Sequence, residues 1–246
     1  MKKQVVTLDE FIGQSKTVET LKISIAAAKK RKEPLGHILL TGSEGSGKNT
    51  LVNAIVKEYD VDIKRINIKD FRKESDLGVV YTNVLDGSFL IIEEIDEIRQ
   101  DLVNFLCSAM EDARASITIG KGLTAKTIEL DMPHITVIGI AETKHKLPKK
   151  LAQCFDIDAK FTEYSEDELY KLAKKWCYLN KSEITDEAAT KIAIYSEGSS
   201  KLLHRAIKRA RDFADVYNNG IIDINIIDKA IANLSDKDFI LSEEYN

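Results

Sequence analysis

The stretch Gly42-Ser43-Glu44-Gly45-Ser46-Gly47-Lys48-Asn49-Thr50 constrains the fold of this chain more than any other. It follows a short apolar run, His37-Ile38-Leu39-Leu40-Thr41, and opens a segment with helical apolar spacing at Leu51, Ile55 and Val56, so it reads as strand, loop, helix. Three glycines let the backbone turn its N–H groups inward around an anion. The helix start adds the positive end of its dipole, and Lys48 supplies a full charge for the outer phosphates. The loop therefore predicts phosphate binding by Gly42, Gly45, Ser46, Gly47 and Lys48, continuing into Asn49 and Thr50. One position departs from the pattern. Asn49 stands after the lysine, where a Ser or Thr hydroxyl would ligate Mg²⁺. Thr50 does not replace it, because the next residue on a helix points about 100° away.

A chain of 246 residues suits one large domain or two small ones. With 36 basic and 40 acidic side chains the formal charge is −4, which advertises neither nucleic acid nor membrane, so any nucleic-acid contact must be local. Cys107, Cys154 and Cys177 lie far apart without a CxxC pair, and an odd count makes no complete intramolecular disulfide framework. A reducing, cytoplasmic setting is expected. The N-terminal Met1-Lys2-Lys3-Gln4-Val5-Val6 lacks the apolar core of a secretory signal, and no segment approaches the uninterrupted length of a membrane span. A soluble protein is expected.

Residues 7 to 33 lead into a helix with Val18, Leu21 and Ile25 on one side and a basic end, Lys29-Lys30-Arg31-Lys32, that complements the helix dipole. After the phosphate loop and its helix, Val61 to Ile66 alternates like a strand. Phe89-Leu90-Ile91-Ile92 is a continuous apolar run, as a buried parallel strand requires, and it ends in Glu93-Glu94. Ligands gather at the carboxyl ends of strands in open α/β sheets, so these two acids are placed where they can face the phosphates. Residues 100 to 113 read as helix. Ser116 to Ile119 and Thr127 to Leu130 alternate around Gly120-Lys121-Gly122 as a β-hairpin, whose apolar residues are either core or an exposed tip for a partner. Ile135 to Ile140 and Ile157 to Phe161 are further strands.

From Ser165 the pattern becomes helical, starting with a Ser165/Glu168 capping box and continuing over about 186 to 195, 199 to 217 and 223 to 234. The expected division is an α/β domain over 1–162 and a helical one over 163–246. The basic band on Lys201 to Arg211 reads as a solvated face, with phosphate contact as the alternative.

Thr7 to Gln14, the loop 42 to 50, Phe89 to Ile95, Ala109-Met110-Glu111-Asp112 with Arg114, Ile119 to Gly122, and Arg211-Asp212-Phe213-Ala214 fall in the order and spacing of RuvB. The chain resembles that family of AAA+ ATPases, which drives branch migration of Holliday junctions in bacteria. The resemblance spans nearly all of the sequence. It implies an AAA+ P-loop NTPase domain with a parallel sheet and an inserted β-hairpin, then a helical lid. It also implies assembly into a ring, of one chain or of several, with ATP or ADP held between subunits. The family continues into a DNA-binding winged-helix domain where this chain stops at Glu244-Tyr245-Asn246, so a principal DNA contact is expected to be missing.

The resemblance also assigns roles. Glu94 takes the position of the glutamate that polarises water, Asn49 and Glu93 fall at the Mg²⁺ end of the site, partly through water, and Phe11, Ile12 and Lys201 join the cofactor-binding set. Several positions depart from the family. Glu93 replaces an aspartate, Lys201 replaces a lid arginine, and near Ala141-Glu142 the threonines that sense the γ-phosphate are out of register, with Thr143 close by. Ala152 and Cys154 stand where the family has arginines, one of them the finger that reaches into a neighbouring site. In RuvB the hairpin docks RuvA through apolar residues, for which Ile117, Ile119, Ile128 and Leu130 are the matching candidates. The expectation is ATP binding with weak or partner-dependent hydrolysis. A non-hydrolysing, nucleotide-regulated scaffold and a clamp-loader-like ATPase subunit are the alternatives.

Overall fold

The computed structural model describes residues 6–59, 61–119 and 126–243. The chain forms two compact units. The first takes in Met1–Phe11, Ser15–Ser43 and Lys48–Phe161; the second takes in Ile12–Gln14, Glu44–Gly47 and Thr162–Asn246.

The first unit is built on five parallel strands, β1 (Ile38–Thr41), β2 (Ile63–Asn67), β3 (Phe89–Glu93), β6 (Thr136–Ala141) and β7 (Ile157–Lys160), in the order β2-β3-β6-β1-β7. The continuous apolar runs have a direct cause. Because successive side chains point to opposite faces, a sheet covered on both sides needs apolar residues at every position. Leu39, Leu90, Ile92 and Val137 pack on one face into a core shared with α3 (Glu74–Thr82) and α4 (Gln100–Glu111). Ile38, Leu40, Phe89, Ile91, Ile138 and Ile140 pack on the other with α1 (Ser15–Arg31) and α2 (Lys48–Lys57). The edge strand β2 carries exposed Ile63, Lys64 and Arg65 ahead of buried Ile66, and charges of this kind discourage pairing with another chain.

β4 (Arg114–Ile119) and β5 (Lys126–Asp131) form the antiparallel hairpin, with Ile117 opposite Ile128 and Ala115 opposite Leu130. Its base belongs to the core through Ala115 and Met132. The short α5 (Lys149–Gln153) follows β6. Gly120 to Ala125, including the glycines that mark the turn in the sequence, lie outside the described residues. α3 has no counterpart in the sequence reading: Lys73 at its N-cap makes no side-chain cap, and Gly78 sits inside it.

Tyr81 of α3 is fully buried, stacked edge-on to Phe105 at 6.3 Å, and its hydroxyl has no hydrogen-bond partner among the described residues. Burial, with a smaller effect of Cys154, pushes its phenol far above the usual range. A buried polar group without a partner carries its desolvation cost. Tyr81→Phe is therefore expected to raise the unfolding free energy by about 1 kcal/mol, read from urea midpoints at constant slope.

The second unit contains α6 (Glu166–Leu179), α7 (Asp186–Tyr195), α8 (Ser200–Tyr217) and α9 (Ile224–Glu243). The capping box forms: the Ser165 side chain accepts from the Glu168 N–H, and the Glu168 carboxylate accepts from the Ser165 N–H at 2.9 Å. Leu169, Ala173, Ile192, Leu203, Ile207 and Ile227 lie in its core. A parallel pairing of β8 (Glu183–Ile184) with β9 (Ile221–Ile222) accompanies the helices, too short for periodicity to mark. On α8, Arg209 pairs with Asp212 at 3.6 Å and Arg211 with Asp215 at 3.7 Å, as on a solvated helix face. No helix among the described residues is long and apolar enough to cross a membrane.

Candidate functional site

The loop after β1 has the shape that its glycines predict. Gly45 and Gly47 take φ of +83° and +98°, a conformation that side-chain-bearing residues rarely adopt. The Gly42 N–H donates to the Glu142 carbonyl at 3.1 Å, which ties the loop start to the end of β6. Lys48 opens α2, and its Nζ donates to the carbonyls of Gly42 and, at 2.8 Å, Ser43. The ammonium is thus held against the start of the loop. Ser46 is buried, and Asn49 and Thr50 are exposed on the first turn of α2.

Within the second unit, the Gly45 carbonyl accepts from the backbone N–H of Ser200 at 3.0 Å and from its hydroxyl at 2.6 Å. Lys201 Nζ donates to Glu44 Oε1 at 2.5 Å. A β-carbon at Gly45 would lie 2.4 Å from Ser199 Oγ, so glycine is required there by space as well as by φ. Lys201 therefore touches the loop segment itself. Phe11, by contrast, is half-buried against the core of the first unit, and Ile12 belongs to the second.

Glu93 and Glu94 leave β3 in different directions because Glu94 has φ +52° and ψ +39°. A left-handed conformation at a residue other than glycine is strained, and such strain collects at functional sites. Glu94 Oε1 accepts from Asn67 Nδ2 at 2.9 Å, and its other carboxylate oxygen pairs with Lys69. The hydrogen bond from Lys69, reinforced by that from Asn67, holds the Glu94 carboxyl below its usual range. Two residues on, Asp96 is buried and its Oδ2 accepts from the N–H groups of Glu142 at 3.2 Å and Thr143 at 3.3 Å. The Thr143 hydroxyl is spent as a cap, accepting from the His145 N–H at 3.4 Å.

Glu93 is drawn the other way. Its Oε1 accepts from Arg65 at 2.6 Å, and the same guanidinium nitrogen donates to Asn49 Oδ1 at 3.0 Å. The structure brings together the two residues that the sequence nominates for Mg²⁺, but with an arginine between them. The donor set as folded, one carboxylate oxygen and one amide oxygen that both accept from Arg65, does not fit a dedicated Mg²⁺ position, which wants near-octahedral oxygens and open sites. Nor do the described residues contain a group of three or more His, Cys, Asp or Glu arranged to hold a metal. Arg65 and Asn67 were missed from sequence. The available signal was their spacing on an alternating strand, with Asn49 and Asn53 one helical turn apart facing it.

Of the positions where the resemblance has arginines, Cys154 is buried in the core, its Sγ donating to the Lys150 carbonyl at 3.3 Å and to Glu111 Oε1 at 3.4 Å. Ala152 is partly buried against the same core. Lys150, upstream of both, donates to Asn104 Oδ1 at 2.8 Å.

A phosphate loop between β1 and α2, a five-stranded parallel sheet with acids at the end of β3, and a following helical unit define an AAA+ P-loop domain with a helical lid. Residues 4–161 match the model of the Holliday junction DNA helicase RuvB P-loop domain, and residues 164–235 match that of the RuvB AAA lid domain. The chain belongs to the RuvB family. Among solved structures it is similar to the RuvB Holliday junction branch migration motor of Thermotoga maritima, at 31% identity over 93% of this chain and 72% of that one, with a TM-score of 0.83. Two mutants of the Thermotoga maritima protein match at 31% identity over 93% of this chain, with TM-scores of 0.85 and 0.84 over 73% and 72% of theirs. Nucleotide and Mg²⁺ binding are general properties of such P-loop ATPases.

Proposed function

We propose that this chain is a RuvB-like ATP- and ADP-binding subunit of DNA recombination, repair or replication that turns ATP over slowly unless a partner completes its site. Residues 1–162 serve as the nucleotide-binding domain and 163–246 as the lid. The observation that carries the reading is the loop itself, with Lys48 hydrogen-bonded to the carbonyls at its start and two glycines at positive φ, a conformation that suits an anion-binding turn. Gly42, Gly45, Ser46, Gly47, Asn49 and Thr50 surround the phosphates in this reading. Lys48 and Lys201 supply charge, and Phe11 and Ile12 contribute apolar contact.

Glu94 is the residue that polarises water, and its environment argues for a low rate. Both carboxylate oxygens are engaged, by Asn67 and Lys69, and a depressed carboxyl pKa makes a weak base. An arginine finger contributes on the order of 10³ to 10⁵ in rate in GTPases. Here apolar Ala152 and buried Cys154 stand at the arginine positions, so self-assembly alone supplies no finger from them. Binding and steady-state turnover, measured with and without four-way junction DNA, test the reading. Turnover faster than about 1 s⁻¹ by the pure protein would overturn slow catalysis. Absence of ATP binding would overturn the whole. The same engaged Glu94 favours a second reading, in which nucleotide is a structural ligand that sets self- or hetero-oligomer state without hydrolysis.

The hairpin is the proposed docking element for a RuvA-like protein. Ile128 is 44% exposed and lies opposite Ile117 in the strand pairing, while Leu130 packs toward the core. Exposed apolar side chains of this kind seat in partner pockets. Ile128→Ser is expected to weaken capture of a RuvA-like helical domain about tenfold with ATP affinity unchanged. Undiminished capture in a pull-down titration would return Ile128 to ordinary surface.

A further inference from the structure

We infer that Arg65 takes the place of the divalent cation in this phosphate site, so that nucleotide binds to the chain without Mg²⁺. The inference rests on the ATP-binding reading above. Arg65 sits on β2, two residues before its end, and its guanidinium reaches three acceptors on two other elements. One nitrogen donates to Glu93 Oε1 of β3 at 2.6 Å and to Asn49 Oδ1 of α2 at 3.0 Å, and the second to Asn53 Oδ1 at 3.4 Å. Asn49 and Asn53 are one helical turn apart, so their side chains project from one face of α2. A planar fork held by acceptors on both sides has little freedom to leave, and the same fork matches phosphate oxygens.

This arrangement accounts for two departures at once. Compared with a serine or threonine hydroxyl, the Asn49 side chain carries its acceptor one bond further from the backbone, and Glu93 carries its carboxylate one methylene further than aspartate. Both lengthened side chains end on Arg65. An amide oxygen also accepts from a guanidinium without offering it a competing donor at that atom. A divalent ion between Asn49 and Glu93 would have to displace a cation already hydrogen-bonded to both, and would meet its charge at close range. Arg65 and Glu93 are each about one-third exposed, at 36% and 34%, a setting in which an ion pair adds little to stability. Its use is better sought in the anion beside it. A guanidinium brings one positive charge where Mg²⁺ brings two, which favours binding over rapid phosphoryl transfer.

Titration calorimetry of the full chain with ATP and with ADP, in excess Mg²⁺ and in EDTA, tests this. Wild-type affinities are expected to agree within about threefold between the two conditions. Arg65→Ala is expected to bind ATP about tenfold more weakly in EDTA and to recover part of that loss when Mg²⁺ is added. Arg65→Gln, which keeps donor capacity without charge, should fall with it. A wild-type affinity that drops about tenfold on removing Mg²⁺ would overturn the inference while leaving ATP binding intact. Undiminished affinity of Arg65→Ala in EDTA would do the same. Failure of both nucleotides to bind under either condition would instead overturn the ATP-binding reading, and this inference with it. The wild-type comparison decides the matter even if a variant proves unstable by circular dichroism.

Discussion

Lys48→Ala is expected to weaken ATP binding by roughly 30- to 1000-fold, equivalent to about 2–4 kcal/mol, the range for removing one partner of a hydrogen-bonded charge pair. The reason lies in how the ammonium is held. Lys48 Nζ donates to the Gly42 carbonyl and, at 2.8 Å, to that of Ser43, so its charge is fixed at the loop before ligand arrives. Little side-chain entropy then remains to be lost on binding. Truncation to alanine removes the charge and leaves those carbonyls without their donor, while the helix start and the loop N–H groups persist. Residual weak binding is therefore expected rather than none. Calorimetric titration beside a thermal melt measures it; an affinity within about threefold of wild type would move the phosphate site elsewhere.

Glu94→Gln is expected to lower ATP turnover by roughly 10²- to 10⁴-fold while ATP affinity changes only a few-fold, because a general base acts in the transition state. Glutamine keeps the size of the side chain and its acceptor for Asn67, so the left-handed backbone at this position need not move. The pH profile carries a second expectation. The carboxyl is held below its ordinary value of 4.5, chiefly by the Lys69 hydrogen bond, so the carboxylate persists as pH falls through the usual range. Any loss of turnover due to Glu94 protonation then lies below that range, and the contribution of Glu94 is flat from about pH 6 to 8. Equal turnover of wild type and Glu94→Gln would leave Glu94 as a strand-end surface acid.

Much of the architecture was legible because its signals are local. The strand-loop-helix reading around Gly42 to Thr50, the apolar run of β3 ending in two acids, and the Ser165/Glu168 capping box each need only a few consecutive residues. α3 was not legible: without a side-chain cap and with Gly78 inside, it is stabilised by burying Leu77 and Tyr81 against α4 and the sheet. The hairpin shows both behaviours. Alternation marks its strands, yet that Ala115 and Leu130 meet the core while Ile128 stays exposed is decided by tertiary packing, which alternation does not encode.

The sequence by itself determined that this chain builds a phosphate loop on a parallel sheet, with acids at the right strand end and a helical unit after it. Apolar period and glycine conformational freedom are properties of neighbouring residues. The tertiary structure decided what surrounds Asn49 and Glu93. Arg65 lies 16 positions from Asn49 and 28 from Glu93, and it meets both only because β2 pairs in register with β3 while α2 packs on the same sheet. The sequence marks Asn49 as a departure from the metal-binding pattern, and only the fold shows the cation that stands beside it.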